Sequence, residues 1–292
     1  MSVRGIYRIL RLPLFVTAVA DVTAGYTVAI LCRGLAFDWR LVALLGGTSA
    51  GLYLFGMVQN DLVDIRRDRA LKVPRPLVTG DLGIGVAVIL LILTGVLAAV
   101  CSLMVGGGAL LIAIGAFAAI NLYNLAAKRG PPYVATTVMG LCRFLNFGIG
   151  VAAAVGVPRH IGLDLLHPSG PLWVRHGLAL FFAAMVAAGY SICARRGKSV
   201  STRPWSVAFV VAAAAGFGMI AISVAAESPA FAAPVARVFA ALLLAGLWPG
   251  GLWSAAGPAR KPRQYEAFIE RMLYWLIAMD AAFVFDAWLM TR

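Results

Sequence analysis

Nine long apolar runs follow one another along this 292-residue chain, near 13–32, 40–59, 83–104, 106–127, 133–156, 176–194, 205–226, 235–253 and 272–290. Each approaches the roughly 20 residues that a helix needs to cross a bilayer. In lipid the backbone must satisfy its own hydrogen bonds, and runs of this length do so as helices. The strands of a membrane barrel alternate apolar with polar residues, and these runs do not. Only 13% of the residues are charged and 62% are hydrophobic, against about 25% charged in a soluble domain. The expected fold class is all-α integral membrane, one helical domain over 1–292 with nine spans. A Gly106-Gly107-Gly108 hinge between the third and fourth runs predicts a tight helical hairpin. Arg4, Arg8 and Arg11 ahead of an apolar stretch superficially resemble a secretory signal. That stretch runs to about Cys32 and contains Asp21, so a retained first span is expected.

The cationic residues orient the chain. Eighteen of the 25 Lys and Arg fall on one set of flanks: Arg4, Arg8, Arg11; Arg66, Arg67, Arg69, Lys72, Arg75; Lys128, Arg129; Arg195, Arg196, Lys198, Arg203; Arg260, Lys261, Arg263, Arg271. The opposite set holds only Arg33, Arg40, Arg159, Arg175, Arg237 and Arg292. The positive-inside rule then predicts a cytoplasmic amino terminus and, with an odd number of spans, an outside carboxyl terminus. The net charge of +13 follows the loops instead of forming one patch, which argues against a nucleic-acid partner. Cys32, Cys101, Cys142 and Cys193 lie at or within apolar segments without CxxC spacing, and read as small core residues.

Where the second run ends, the chain reads Asn60-Asp61-x-x-Asp64-x-x-x-Asp68, three of only 12 acidic residues. On a helix these four side chains fall within an arc of roughly 100°. Carboxylates on one face repel, so a cation must offset them. Two readings compete. One is a solvated helix end whose aspartates pair with Arg66, Arg67, Arg69 or Lys72, contacts worth little. The other is magnesium holding a diphosphate, the hard-oxygen company that this ion keeps.

Further candidates lie elsewhere along the chain. Tyr123 and Lys128, at the same membrane side as the aspartates, are placed to hold substrate phosphates, though basic residues are expected there from orientation alone. Arg143 and Asn146 lie about ten residues into the fifth run, a depth at which a guanidinium faces a cavity or a partner. A substrate contact and a structural pair with Asp21 or Asp280 stand equal there. His160, Asp164 and His167 have ligand-like spacing, but between Pro158 and Pro168 they read as a short amphipathic interfacial piece.

At these residues the chain resembles the UbiA superfamily of intramembrane prenyltransferases. The resemblance rests on Asn60-Asp61-x-x-Asp64-x-x-x-Asp68, on Arg75-Pro76-Leu77-x-x-Gly80, on Tyr123 to Lys128, and on the nine spans. Met139 to Asn146 and Leu276 to Ala282 look like its EboC-like branch. The resemblance implies a nine-helix bundle in which two aspartate-rich motifs bind Mg2+ and a prenyl diphosphate, with catalytic Asn60, Asp61, Asp64 and Asp68. It implies metal ligands at Asp61, Asp64 and Asp68, and a multi-pass protein of a bacterial inner membrane, surrounded by lipid. The acceptor stays open. The family's second motif has no match: the sixth run ends Arg195-Arg196-Gly-Lys198, and no acidic residue occurs between Asp164 and Glu227. Arg195, Arg196 and Lys198 would then contact phosphate directly, as Arg is suited to do. The alternative is a non-catalytic protein of the same bundle that transports or binds a polar or phosphorylated lipid.

Overall fold

The computed structural model describes residues 3–155 and, beyond them, individual helical positions within 174–188 and 276–288. The expected runs over 205–226 and 235–253, the His160–His167 stretch, and Arg195, Arg196 and Lys198 lie outside the described residues. The elements are α1 (Val3–Leu10), α2 (Leu12–Arg33), α3 (Trp39–Ala70), α4 (Pro76–Thr79), α5 (Ile84–Val105), α6 (Gly107–Leu125), a 3-10 turn (Ala127–Arg129) and α7 (Pro132–Val155). Five of these helices are long and apolar enough to cross a membrane. The protein is an all-α integral membrane protein.

Each helix ends for a local reason. Between α1 and α2 the backbone turns at Arg11, which is left-handed (φ 49°), with a proline in the first turn of α2. α2 stops at Gly34 (φ 62°), where Leu35 N–H bonds to Ile30 O at 2.9 Å and Gly34 N–H to Leu31 O at 3.2 Å. This is the Schellman closure, which needs the left-handed residue that glycine adopts without strain. The Asp38 carboxylate caps α3 by accepting from Arg40 N–H at 2.8 Å.

α3 departs from the expected picture. The apolar run read from sequence ends at residue 59, whereas one helix of 32 residues runs from Trp39 through the whole acidic cluster. At 1.5 Å per residue it is about 48 Å long, well over the ~30 Å hydrocarbon layer, so its end projects beyond the lipid. It closes at Lys72 (φ 52°), with Val73 N–H on Asp68 O at 2.9 Å.

The long helices close a circuit: α2 on α3, α3 on α5, α5 on α6, α6 on α7 and α7 on α2. Small residues set the closest approaches, as expected where lipid removes the hydrophobic drive between helices. A Cβ on Gly51 of α3 would sit 2.7 Å from Ala98 N of α5. On the α2–α7 seam, Gly25 lies against the Phe147 carbonyl and Gly150 against that of Val22, with no space for a side chain. α5 turns most of its surface outward, with Ile89, Ile92, Leu93 and Leu103 exposed. These side chains meet lipid.

Candidate functional site

The last three turns of α3 hold the acidic face, and that face looks inward. Asp61 is 2% exposed, Asn60 7%, and Asp64 and Asp68 8% each. Their sequence neighbours Arg66, Arg67, Arg69 and Lys72 are exposed. The aspartates are paired instead with cations from three different elements. Lys128, in the turn after α6, reaches Asp64 Oδ2 at 2.9 Å and donates to Asn60 Oδ1 at 2.9 Å. Arg75, at the N-terminal edge of α4, donates to Asp61 Oδ1 at 2.8 Å and lies 3.7 Å from Asp68 Oδ2. Arg11, at the α1–α2 break, stands 3.6 Å from Asp61 Oδ1.

The supports of these cations are specific. Arg8 ties α1 to the segment that carries Arg75, through Asp81 at 3.3 Å and a hydrogen bond to the Pro74 carbonyl. Ile9 and Leu10 pack with Val58, Leu77 and Leu82, anchoring the same corner. On the other side, Asn124 donates to Gln59 Oε1 at 2.8 Å and to Gly56 O at 3.0 Å, and Gln59 donates to Asn121 Oδ1 at 2.7 Å. This amide chain fixes the end of α6, and hence Lys128, against α3. Tyr123 lies in the last turn of α6 and is half-buried.

Two features bear on a metal. Asp61 Oδ2 is buried with no hydrogen-bond partner among the described residues, while both guanidiniums crowd Oδ1. An unsatisfied buried carboxylate oxygen is costly, and it marks a position that a cation would fill. Yet among the described residues no three His, Cys, Asp or Glu side chains converge to enclose an ion on their own. That donor set suits magnesium, which takes one or two carboxylates and completes its shell with water and substrate phosphate. The residues therefore fit the ion as a partner of an anionic substrate, and not as a closed protein cage.

Arg143 and Asn146 are not drawn to the aspartates. Arg143 pairs with Asp21 Oδ2 and donates to Thr17 Oγ1 at 2.8 Å, while Asn146 donates to Ala18 O at 2.7 Å. Both join α7 to α2. Of the two readings held open for Arg143, the described contacts are those of the interhelical pair, with Asp21 the direct partner. Arg11 and Arg75 were absent from the expected site residues. Basic residues flank several of the apolar runs, and nothing in the sequence separates the cation that folds inward from those that stay in water.

No known family matches the chain by sequence, and no curated protein does. Solved structures do match in shape. A UbiA homologue from Aeropyrum pernix K1 superposes with a TM-score of 0.64 at 20% identity, over 92% of this chain and 97% of that one. It carries the UbiA fold. A UbiA homologue from Archaeoglobus fulgidus, bound to GPP and Mg2+, gives a TM-score of 0.64 at 14% identity, over 96% and 99% of the two chains. The structure of digeranylgeranylglyceryl phosphate synthase gives 0.61 at 15% identity over 98% of each. At such identities what is shared is the UbiA-type bundle itself.

Proposed function

We propose that this protein is a membrane prenyltransferase of UbiA type, which binds a prenyl diphosphate with Mg2+ at the inward acidic face of α3 and transfers the prenyl group to an acceptor. One observation carries the reading. Three buried carboxylates, Asp61, Asp64 and Asp68, are balanced by three cations, Arg11, Arg75 and Lys128, that arrive from other elements. With its charges matched and Asp61 Oδ2 left open, the site favours a metal that arrives with an anion. A divalent ion and a polyanion entering together keep the balance, and the archaeal homologue solved with GPP and Mg2+ has the same fold.

On this reading Asp61 and Asp64 hold the ion, Asp61 through its open Oδ2. Lys128, Arg75 and Arg11 then exchange carboxylate for phosphate oxygens, a task for which guanidinium's bidentate geometry is suited. Held by these aspartates, Mg2+ would supply the positive charge that offsets the departing diphosphate. Asn60, held by Lys128, keeps that lysine's position as partners change. The allylic centre would need shelter from water until the acceptor takes it. We read this face as cytoplasmic, from the excess of Lys and Arg on its flanks, in a protein of a bacterial inner membrane.

The test is diphosphate release by purified protein offered a mixture of prenyl diphosphates. Release should require magnesium and vanish in Asp61→Ala; turnover that continues in chelator overturns the reading. A second reading, a carrier or binder of a phosphorylated lipid, is favoured by the lack of any acidic residue between Asp164 and Glu227, where the UbiA pattern expects its second motif. Tight binding of a prenyl diphosphate without turnover would favour it.

A further inference from the structure

The end of α3 carries seven charges between Asp61 and Lys72, and only the acidic ones are paired. Asp61, Asp64 and Asp68 take their partners from Arg11, Arg75 and Lys128, all on other elements. The cations nearest in sequence are left over. Arg66, Arg67, Arg69 and Lys72 are exposed, and among the described residues none forms an ion pair or donates a side-chain hydrogen bond. Arg67 alone influences an aspartate, Asp68, and more weakly than Arg75 does. By helix register Arg66 and Arg69 lie about 60° apart and roughly 150° from the middle of the acidic face. Positive charge therefore accumulates on one side of the helix end with no local carboxylate to cancel it.

The depth of that patch follows from α3 itself. The helix starts at Trp39, which is 75% exposed and has Phe37 against it at 4.6 Å between ring centroids, an aromatic pair of the kind that marks a membrane interface. A hydrocarbon layer of about 30 Å takes up about 20 helical residues. The opposite edge thus falls near residue 59, where the apolar run ends. Arg66 to Arg69 stand about 10–15 Å further along the axis, beside the headgroups that bring the bilayer to about 40–45 Å. Helical side chains lean toward the N-terminus, which here is back toward the lipid, and a long cationic side chain spans the remaining gap. Leu71, 62% exposed, adds an apolar side chain to the same end.

We propose that Arg66, Arg67, Arg69 and Lys72 form a binding surface for the headgroups of anionic phospholipids in the adjacent leaflet. Guanidinium groups take phosphate oxygens in pairs. A zwitterionic headgroup brings its own cation and gains little from the patch, whereas an anionic one brings uncompensated charge. A basic flank alone is what membrane orientation requires; the withdrawal of every nearby aspartate to the inward face is what leaves this one available. The surface is independent of the reaction assigned to that inward face.

Native mass spectrometry of the full chain, equilibrated in neutral detergent with equal amounts of phosphatidylglycerol and phosphatidylcholine, tests this. The wild type should retain phosphatidylglycerol in preference. That preference should fall by up to about fivefold for each cation removed in Arg66→Gln, Arg67→Gln and Arg69→Gln, singly and combined. The corresponding three Arg→Lys substitutions together should keep it, which separates loss of charge from loss of fold. A wild type without preference, or a combined Gln variant that retains phosphatidylglycerol as the wild type does, overturns the proposal. So does a preference abolished by inorganic phosphate but not by chloride at equal ionic strength, which would assign the patch to a soluble anion.

Discussion

The ion pairs around Asp61 and around Asp21 use the same chemistry in different surroundings. At the end of α3, Arg11 and Arg75 keep 26% and 23% of their side chains exposed, and each comes from a helix break or a connecting segment. Between α2 and α7, Arg143 is 11% exposed and Asp21 not at all, and both belong to helices whose backbones touch through Gly25 and Gly150. Arg11 and Arg75 can trade partners, since each reaches water on one side, whereas Lys128 is 8% exposed. In the second set Asp21 is closed to water, and α2 and α7 meet there without space for a side chain. Exchangeable pairs suit a ligand site; fixed pairs suit helix registry, the best-attested use of a buried charge.

The contrast can be broken by experiment. The largest expected effect is on activity: Asp64→Ala should lower magnesium-dependent diphosphate release by on the order of 10³-fold, as loss of a preorganised electrostatic group does. Retained turnover would remove α3 from the chemistry. Next, Arg143→Met should cost about 3–5 kcal/mol of stability by stranding a buried carboxylate. Thermal unfolding in detergent checks this, and Arg143→Met combined with Asp21→Asn should recover much of the loss. A smaller effect follows at Lys128→Ala, where losing charge-assisted hydrogen bonds worth about 1.5 kcal/mol should raise KM for the prenyl diphosphate roughly tenfold, with kcat less affected. Last, Arg66→Ala should leave both turnover and unfolding unchanged, since Arg66 faces away from the acidic face. A measurable loss there would revive the pairing of the aspartates with their own neighbours.

Much of the helical framework is visible in hydropathy, because a run such as 84–105 has one way to satisfy its backbone in lipid. The overrun of α3 is not, since residues after Gln59 are polar and resemble a loop to any apolar window. Only the spacing of Asp61, Asp64 and Asp68 on one arc hints that the helix goes on. The partners of those aspartates are harder still. Arg75 and Lys128 are 14 and 64 residues from the carboxylates they meet, and Arg11 depends on a left-handed turn that no residue preference announces. For Arg143 the burial cost limited the partners to a few acids, and helix packing chose among them. Sequence restricts the candidates; tertiary contact selects.

An uninterrupted α3 also acts as a mast. Its lower part, from Trp39, is stepped in the bilayer, and its head carries Asn60 to Asp68 with no hinge between. A thinner or thicker membrane that makes the mast lean must carry Lys128 with its head, through the amide chain, and swing both relative to Arg11 at the α1–α2 break. The grip on any bound anion is therefore geared to the thickness of the surrounding lipid.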